Sequence, residues 1–322
     1  MLIPFILIIA GFALLIKGAD WLVSGSSSLA KKYNVSDLVI GLTIVSFGTS
    51  APELVVNSIA SYMDHPDIVY GNIIGSNIVN LFLVLGIVGV IAPFTVQSST
   101  VWKEIPISIF AAAIVMILSN KIFGQSQSEL TSIEGLVLLV FFSAFLYYVY
   151  KQMKNEPPAV QAEHAEVHIH KKNLTIWGLI IIGLAGLIAG GKLVVDNAVI
   201  IATDLGISEK IIGVTIIAIG TSLPELVTSV VAAIKKNSDI AIGNVVGSNI
   251  FNLLFILPIS ALISPNAYNP AFNVDMWLLI GGTALLFIAM FTGGAKRLDR
   301  WEAAILLLVY FGYTGFLIVQ EF

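Results

Sequence analysis

The chain repeats itself at a constant offset of 172 residues, and this duplication restricts its fold more than any other feature. Residues 41–54 (GLTIVSFGTSAPEL) align without a gap on 213–226 (GVTIIAIGTSLPEL). Residues 71–80 (GNIIGSNIVN) align at the same offset on 243–252 (GNVVGSNIFN). Between 36 and 85 about half the positions are identical to their partners. Self-similarity on this scale marks a duplicated structural unit.

Composition identifies the solvent around that unit. The 322 residues are 57% hydrophobic and 11% charged, with a mean hydropathy of +0.94. A soluble domain carries about 25% charged residues, so lipid must face most of this surface. Crossing the hydrocarbon core takes roughly 20 apolar residues in a helix. Runs of that kind begin near residues 2, 38, 68, 102, 130, 173, 210, 239, 274 and 301. The expected fold is an all-α integral membrane protein of ten transmembrane helices. Residues 1–150 would form a first five-helix repeat, 151–172 a cytoplasmic linker loop, and 173–322 a second repeat. Five is odd, so the second copy runs through the membrane in the opposite sense. Inverted repeats of this kind characterise secondary transporters, with the substrate held near the midplane where the halves meet.

The first apolar run lacks the basic flank and small-residue cleavage site of a signal peptide and reads as a span. Loops after odd-numbered spans carry Lys31, Lys32, Lys103, Lys151, Lys154, Lys171, Lys172, Lys235, Lys236, Lys296, Arg297 and Arg300, whereas the other loops carry Lys121 and Lys210. The positive-inside rule then places the odd loops in the cytoplasm and both termini outside the cell membrane. The longest loop holds Pro157, Pro158, His164, His168 and His170. It reads as a solvated linker, with metal binding by its histidines as the alternative. Lys17 with Asp20, and Lys192 with Asp196, are spaced to neutralise one another near helix ends.

Candidate chemistry lies inside the spans. Ser46, Thr49, Ser50 and Glu53 fall at i, i+3, i+4 and i+7, one face of a helix; Ala218, Thr221, Ser222 and Glu225 occupy the same face of the second copy. A carboxylate within a span is expensive and is not turned towards lipid. Two at matching depths would repel each other across the pseudo-two-fold axis, and no buried lysine or arginine is expected at that depth. A bound cation, or protons in its absence, resolves the conflict. Pro52 and Pro224 lack an N–H and clash with the carbonyl four residues earlier, so each helix should open around Gly48-Thr49 or Gly220-Thr221. Broken backbone at membrane depth is tolerated where it is buried or lines a cavity. Ser76 and Asn80, with Ser248 and Asn252, recur every four residues on the neighbouring spans and would supply neutral oxygens; Asn77 and Asn249 read as glue between helices. An all-oxygen set with two negative charges suits Ca²⁺. Zinc and copper sites need nitrogen or sulfur ligands; the chain has no cysteine, and its four histidines lie outside the apolar runs. Without a histidine, cysteine or paired aspartate in a span, a catalytic nucleophile would lack its usual base, so no enzyme and no cofactor is expected. The net charge of −4 is too small to say anything of nucleic-acid or acidic partners, and no nucleic-acid partner is expected.

The two GTSxPE segments, each followed by GNxxGSNIxN, resemble the paired alpha repeats of the cation/calcium antiporter superfamily, and most closely its prokaryotic sodium/calcium exchangers. That resemblance implies an antiporter exchanging Ca²⁺ for Na⁺ by alternating access in a lipid bilayer, functional as a monomer. It implies Glu53 and Glu225 as central Ca²⁺ ligands, with backbone carbonyls from Thr49 and Thr221. Ser46, Ser50, Ser76, Ala218, Ser222 and Ser248 would line sodium sites, the alanine through its carbonyl, and Asn80 and Asn252 would flank the centre. Some relatives, potassium-dependent ones among them, carry aspartate where this chain has Asn252, which argues against potassium coupling. A Ca²⁺/H⁺ antiporter using the same glutamates is the alternative. In either case the glycine-rich spans 1 and 6 (Gly11, Gly18, Gly25; Gly183, Gly186, Gly190, Gly191) would slide across the core as the gate.

Overall fold

In the computed structural model, residues 2–120, 128–154, 172–205, 218–293 and 296–320 are described. The 155–171 portion of the histidine-bearing loop and the start of the seventh apolar run, 206–217, lie outside them. The described chain is almost wholly helical. Its helices are α1 (Leu2–Tyr33), α2 (Asp37–Thr49), α3 (Ala51–Tyr62), α4 (Pro66–Ile91), α5 (Thr100–Ser119), α6 (Ser132–Lys154), α7 (Asn173–Asp204), α8 (Ala218–Thr221), α9 (Leu223–Ile234), α10 (Ser238–Ile263), α11 (Phe272–Ala289) and α12 (Arg300–Gln320). Among the described residues eight are long and apolar enough to cross a membrane, or nine if α2 and α3, bent by 47°, count as one span. The α9 helix is apolar but shorter.

Burial sorts these helices into layers. Over their most apolar stretches, α4 and α10 are 83% and 78% buried, whereas the other six long spans are 22–39% buried. The two GNxxGSN helices therefore form the centre, and the rest present Ile9, Leu174, Val140, Leu308 and other large apolar side chains outward. A belt of that kind is stable against lipid rather than water. Within α2, α4, α5 and α10 the winding loosens to π-helix at Gly41–Val45, Val79–Val84, Thr100–Glu104 and Asn252–Ile256. Such wide turns recur at functional sites, and two of these begin at or beside the matched Asn80 and Asn252.

Helices α1 and α7, each 32 residues long, exceed the span length that the apolar runs suggested. They pack with their backbones in direct contact. A methyl group on Gly18 would lie 2.7 Å from the Gly183 carbonyl oxygen, and one on Gly190 would lie 2.8 Å from that of Gly11. Only the missing side chains permit this approach, the small-residue packing of membrane helices. Asp20 of α1 does not pair with Lys17. It meets Lys235 at 2.6 Å, because the turn after α9 brings that lysine beside α1, where it also donates to Ser24 Oγ at 2.8 Å. Lys192 and Asp196 do pair, at 3.0 Å.

The duplication recurs in the turns. Asp64 and Lys236, partners at the 172-residue offset, are both left-handed (φ 58° and 60°). In each copy the next residue's amide closes on the helix end, His65 on Ala60 and Asn237 on Ala232, both at 2.9 Å. This is the six-to-one closure of a Schellman turn. Short antiparallel ties join the two copies: Phe94–Thr95 pairs with Arg297–Leu298, and Glu129–Leu130 with Asn266–Ala267.

Candidate ion-binding site

The site is built around two interrupted helices. Pro52 and Pro224 each stand second in the helix that follows the break, where a missing N–H is harmless. The chain leaves helical geometry at Ser50 (φ −83°, ψ 8°) and Ser222 (φ −89°, ψ 6°), one residue beyond the Gly-Thr pairs where the openings are expected. Each break delivers a glutamate in the first turn of the next helix. Glu53 and Glu225 are both 1% exposed.

Hydroxyl groups from both copies converge on these carboxylates. Ser50 Oγ donates to Glu225 Oε1 at 2.9 Å and Ser248 Oγ donates to the same oxygen at 3.3 Å. Ser76 Oγ donates to Glu53 Oε1 at 3.4 Å and lies 3.5 Å from Thr221 Oγ1. Thr49 Oγ1 donates to Asn244 Oδ1 at 3.0 Å, and Thr221 Oγ1 donates to Asn72 Oδ1 at 3.3 Å. Seven of the twelve expected residues are thus tied into two networks, one around each carboxylate: Thr49, Ser50 and Ser248 with Glu225, and Ser76 and Thr221 with Glu53. Ser46, Asn80, Ser222 and Asn252 are buried but are not bonded to either carboxylate. Ala218 opens α8, four residues ahead of Ser222. Asn249 and Asn252 donate to the carbonyl and side-chain oxygens of Asn77, each at 3.4 Å, so Asn77 and Asn249 do act as interhelical glue.

The unpaired atoms define the chemistry. Glu53 Oε2, Glu225 Oε2, Ser222 Oγ, Asn80 Oδ1 and Asn252 Oδ1 are buried without a hydrogen-bond partner. Buried polar atoms are ordinarily satisfied, and unsatisfied ones call for an explanation. These five are oxygens, two of them carboxylate; Nδ2 of Asn72 and of Asn77 is also buried without a partner, and among the described residues no lysine or arginine is buried. Such a donor set fits a hard cation. Sequence reasoning passed over Asn72, Asn244 and Asn57 as site residues. The first two share the four-residue period of Ser76 and Ser248, which was the available signal; Asn57, one turn beyond Glu53, donates to the Glu53 carbonyl at 2.8 Å.

An oxygen-lined, doubly acidic centre between interrupted helices defines a multi-pass membrane protein that handles cations. The chain belongs to the sodium/calcium exchanger protein family, whose model matches it twice, over residues 3–151 and 175–319. It is 31% identical to the sodium/calcium exchanger MaX1 of Methanosarcina acetivorans, with 98% of each chain covered. It is 34% identical to the inner membrane protein YrbG of Escherichia coli, over 87% of this chain and 86% of that one. Solved structures of the sodium-calcium exchanger NCX_Mj share its fold. The form soaked without Na⁺ or Ca²⁺ superposes with a TM-score of 0.82 at 33% identity, covering 98% of this chain and 99% of that one.

Proposed function

We propose that this chain is a Na⁺/Ca²⁺ antiporter working by alternating access around the Glu53–Glu225 centre. One observation carries the proposal: two buried carboxylates, each with an unpartnered oxygen, in a member of the sodium/calcium exchanger family. Ca²⁺ and Na⁺ are cargo; the reading assigns no catalytic step and no resident cofactor. The two ions share the carboxylates and therefore exclude one another. Either ion offsets the repulsion between Glu53 and Glu225 and so permits the switch between inward- and outward-facing states, while an empty centre resists it. Ca²⁺ would take the glutamates and the carbonyls of Thr49 and Thr221. Na⁺ would take Ser46, Ser50, Ser76, Ser222, Ser248 and the Ala218 carbonyl, with Asn80 and Asn252 flanking the centre.

The same proposal includes the topology. Ten spans follow if α2 with α3, and the 210–234 run that contains α8 and α9, each cross the bilayer once. The paired turns at Asp64 and Lys236 and the twofold family match support two inverted repeats at 1–150 and 173–322, joined by a cytoplasmic linker at 151–172. The excess of basic residues supports cytoplasmic odd loops and outward termini in the cell membrane. A site assembled from both halves of one chain supports function as a monomer. Reconstituted vesicles loaded in turn with Na⁺, K⁺ or acid test the reading. Ca²⁺ uptake should follow the outward Na⁺ gradient and ignore the other two; uptake driven by protons would overturn the counter-ion.

A further inference from the structure

The two asparagines that sequence reasoning passed over occupy equivalent places, yet they are not equivalently bonded. Each accepts the hydroxyl of the threonine that closes the interrupted turn of the other copy, Asn244 from Thr49 and Asn72 from Thr221. Asn244 does more. Its Nδ2 donates to the Glu225 backbone carbonyl at 3.3 Å and to Ser229 Oγ at 3.0 Å. One fully buried amide therefore spans from the broken turn of the first copy to the backbone of the glutamate in the second. In the other copy the bridge is cut. Position 57 is asparagine where its partner, 229, is serine, and Asn57 holds the Glu53 carbonyl from within its own helix. Asn72 Nδ2 is left without a partner.

We propose that Asn244 is a positioning residue for ion binding, setting the distance between the Thr49–Ser50 break and Glu225, and that Asn72 does the weaker half of the same task for Thr221. On this account the Thr49 hydroxyl serves to hold the turn: its shorter bond, at 3.0 Å, crosses to Asn244 Oδ1, while the Ser46 carbonyl at 3.3 Å is the other acceptor within its own turn. Two ligand groups from opposite halves then keep their spacing without waiting for the ion, which is how preorganisation raises affinity. The proposal rests on the Glu53–Glu225 site argued above.

The test reads Ca²⁺ binding calorimetrically on the purified full chain in Na⁺-free detergent, for Thr49→Val, Asn244→Ala and the double variant, with the Ca²⁺-free unfolding temperature measured beside it. Thr49→Val should weaken Ca²⁺ by roughly threefold to tenfold, the range of one buried hydrogen bond, and Thr49→Ser should restore it. Asn244→Ala should weaken Ca²⁺ at least as much, and the double variant no further than Asn244→Ala alone, since coupled partners are not additive. Additive losses, or an Asn244→Ala variant that binds Ca²⁺ as wild type does while only its unfolding temperature falls, would overturn the assignment. If Asn244→Ala does not fold, the Thr221→Val and Asn72→Ala cycle decides, because Asn72 loses one bond only. Glu225→Gln separates the two levels. Ca²⁺ binding that survives it removes the site itself, whereas binding lost in Glu225→Gln together with additive asparagine effects removes the positioning role alone.

Discussion

Ser50 Oγ donates to Glu225 Oε1 at 2.9 Å, carrying a hydrogen bond from the interrupted turn of one sequence repeat to the carboxylate of the other. Its counterpart, Ser222, is equally buried and its hydroxyl has no partner. The two copies therefore hold their glutamates unequally: Glu225 Oε1 receives two hydroxyl donors and Glu53 Oε1 accepts from Ser76 at the longer distance of 3.4 Å.

That inequality has a measurable consequence. Ser50→Ala should lower the stability of the ion-free protein by about 1–3 kcal/mol, the usual effect of leaving a buried polar atom without its hydrogen bond. Ser222→Ala should leave stability unchanged or slightly raised, because it removes a buried hydroxyl that nothing satisfies. Both should weaken Na⁺, since both oxygens belong to the proposed sodium shell. Thermal unfolding in detergent with and without Na⁺ separates the two effects; equal destabilisation by both variants would contradict the asymmetry.

The α1–α7 contact supplies a second test within one helix. A methyl on Gly183 would meet the Leu22 amide nitrogen at 2.7 Å and the Gly18 carbonyl oxygen at 2.8 Å, whereas one on Gly178 meets nothing within 4 Å. Gly183→Ala should cost about 1–3 kcal/mol through overpacking and slow exchange, because backbone atoms cannot yield as a side chain can. Gly178→Ala should leave exchange intact and be neutral or slightly stabilising through helix propensity. Exchange rates and unfolding temperatures of the two variants check this directly.

A third prediction concerns Asn252, whose Nδ2 reaches Asn77 while its Oδ1 is unpartnered. With a neutral side chain there, Na⁺-driven uptake should be the same with and without K⁺. Asn252→Asp raises the carboxylate count of the centre from two to three and should tighten Ca²⁺ by about tenfold, as ligand charge tunes calcium sites. Tracer binding in Na⁺-free buffer measures that shift, which an unchanged affinity in Asn252→Asp would contradict; a requirement of the wild-type chain for K⁺ would contradict the first expectation.

Much of this was legible in the sequence because its causes are local. The 172-residue repeat, the Pro-Glu pairs and the four-residue spacing of Asn, Ser and Asn are patterns within single helices. They located the glutamates and the breaks to within a residue. What escaped depends on the packing of distant segments. Asp20 has Lys17 within one turn, but its partner is Lys235, which only the folded chain brings near. The bond from Thr49 to Asn244 joins residues of different copies, and nothing in either segment announces that asparagine as an acceptor for the other's hydroxyl. The difference between Asn57 and Ser229 was visible at the offset, yet its meaning required knowing which carbonyl each amide reaches.

The central claim is that one pair of glutamates, supplied by two repeats, binds the cargo and couples its movement to Na⁺. It is tested most directly by ⁴⁵Ca²⁺ uptake into Na⁺-loaded proteoliposomes for the wild type, Glu53→Gln and Glu225→Gln. Glutamine preserves shape and removes charge, and loss of one buried charge from an ion site should reduce uptake by at least about 100-fold. The account predicts rapid uptake by the wild type under an outward Na⁺ gradient and near-background uptake by each variant. Uptake that persists in either variant, or that is indifferent to the Na⁺ gradient in the wild type, would contradict it.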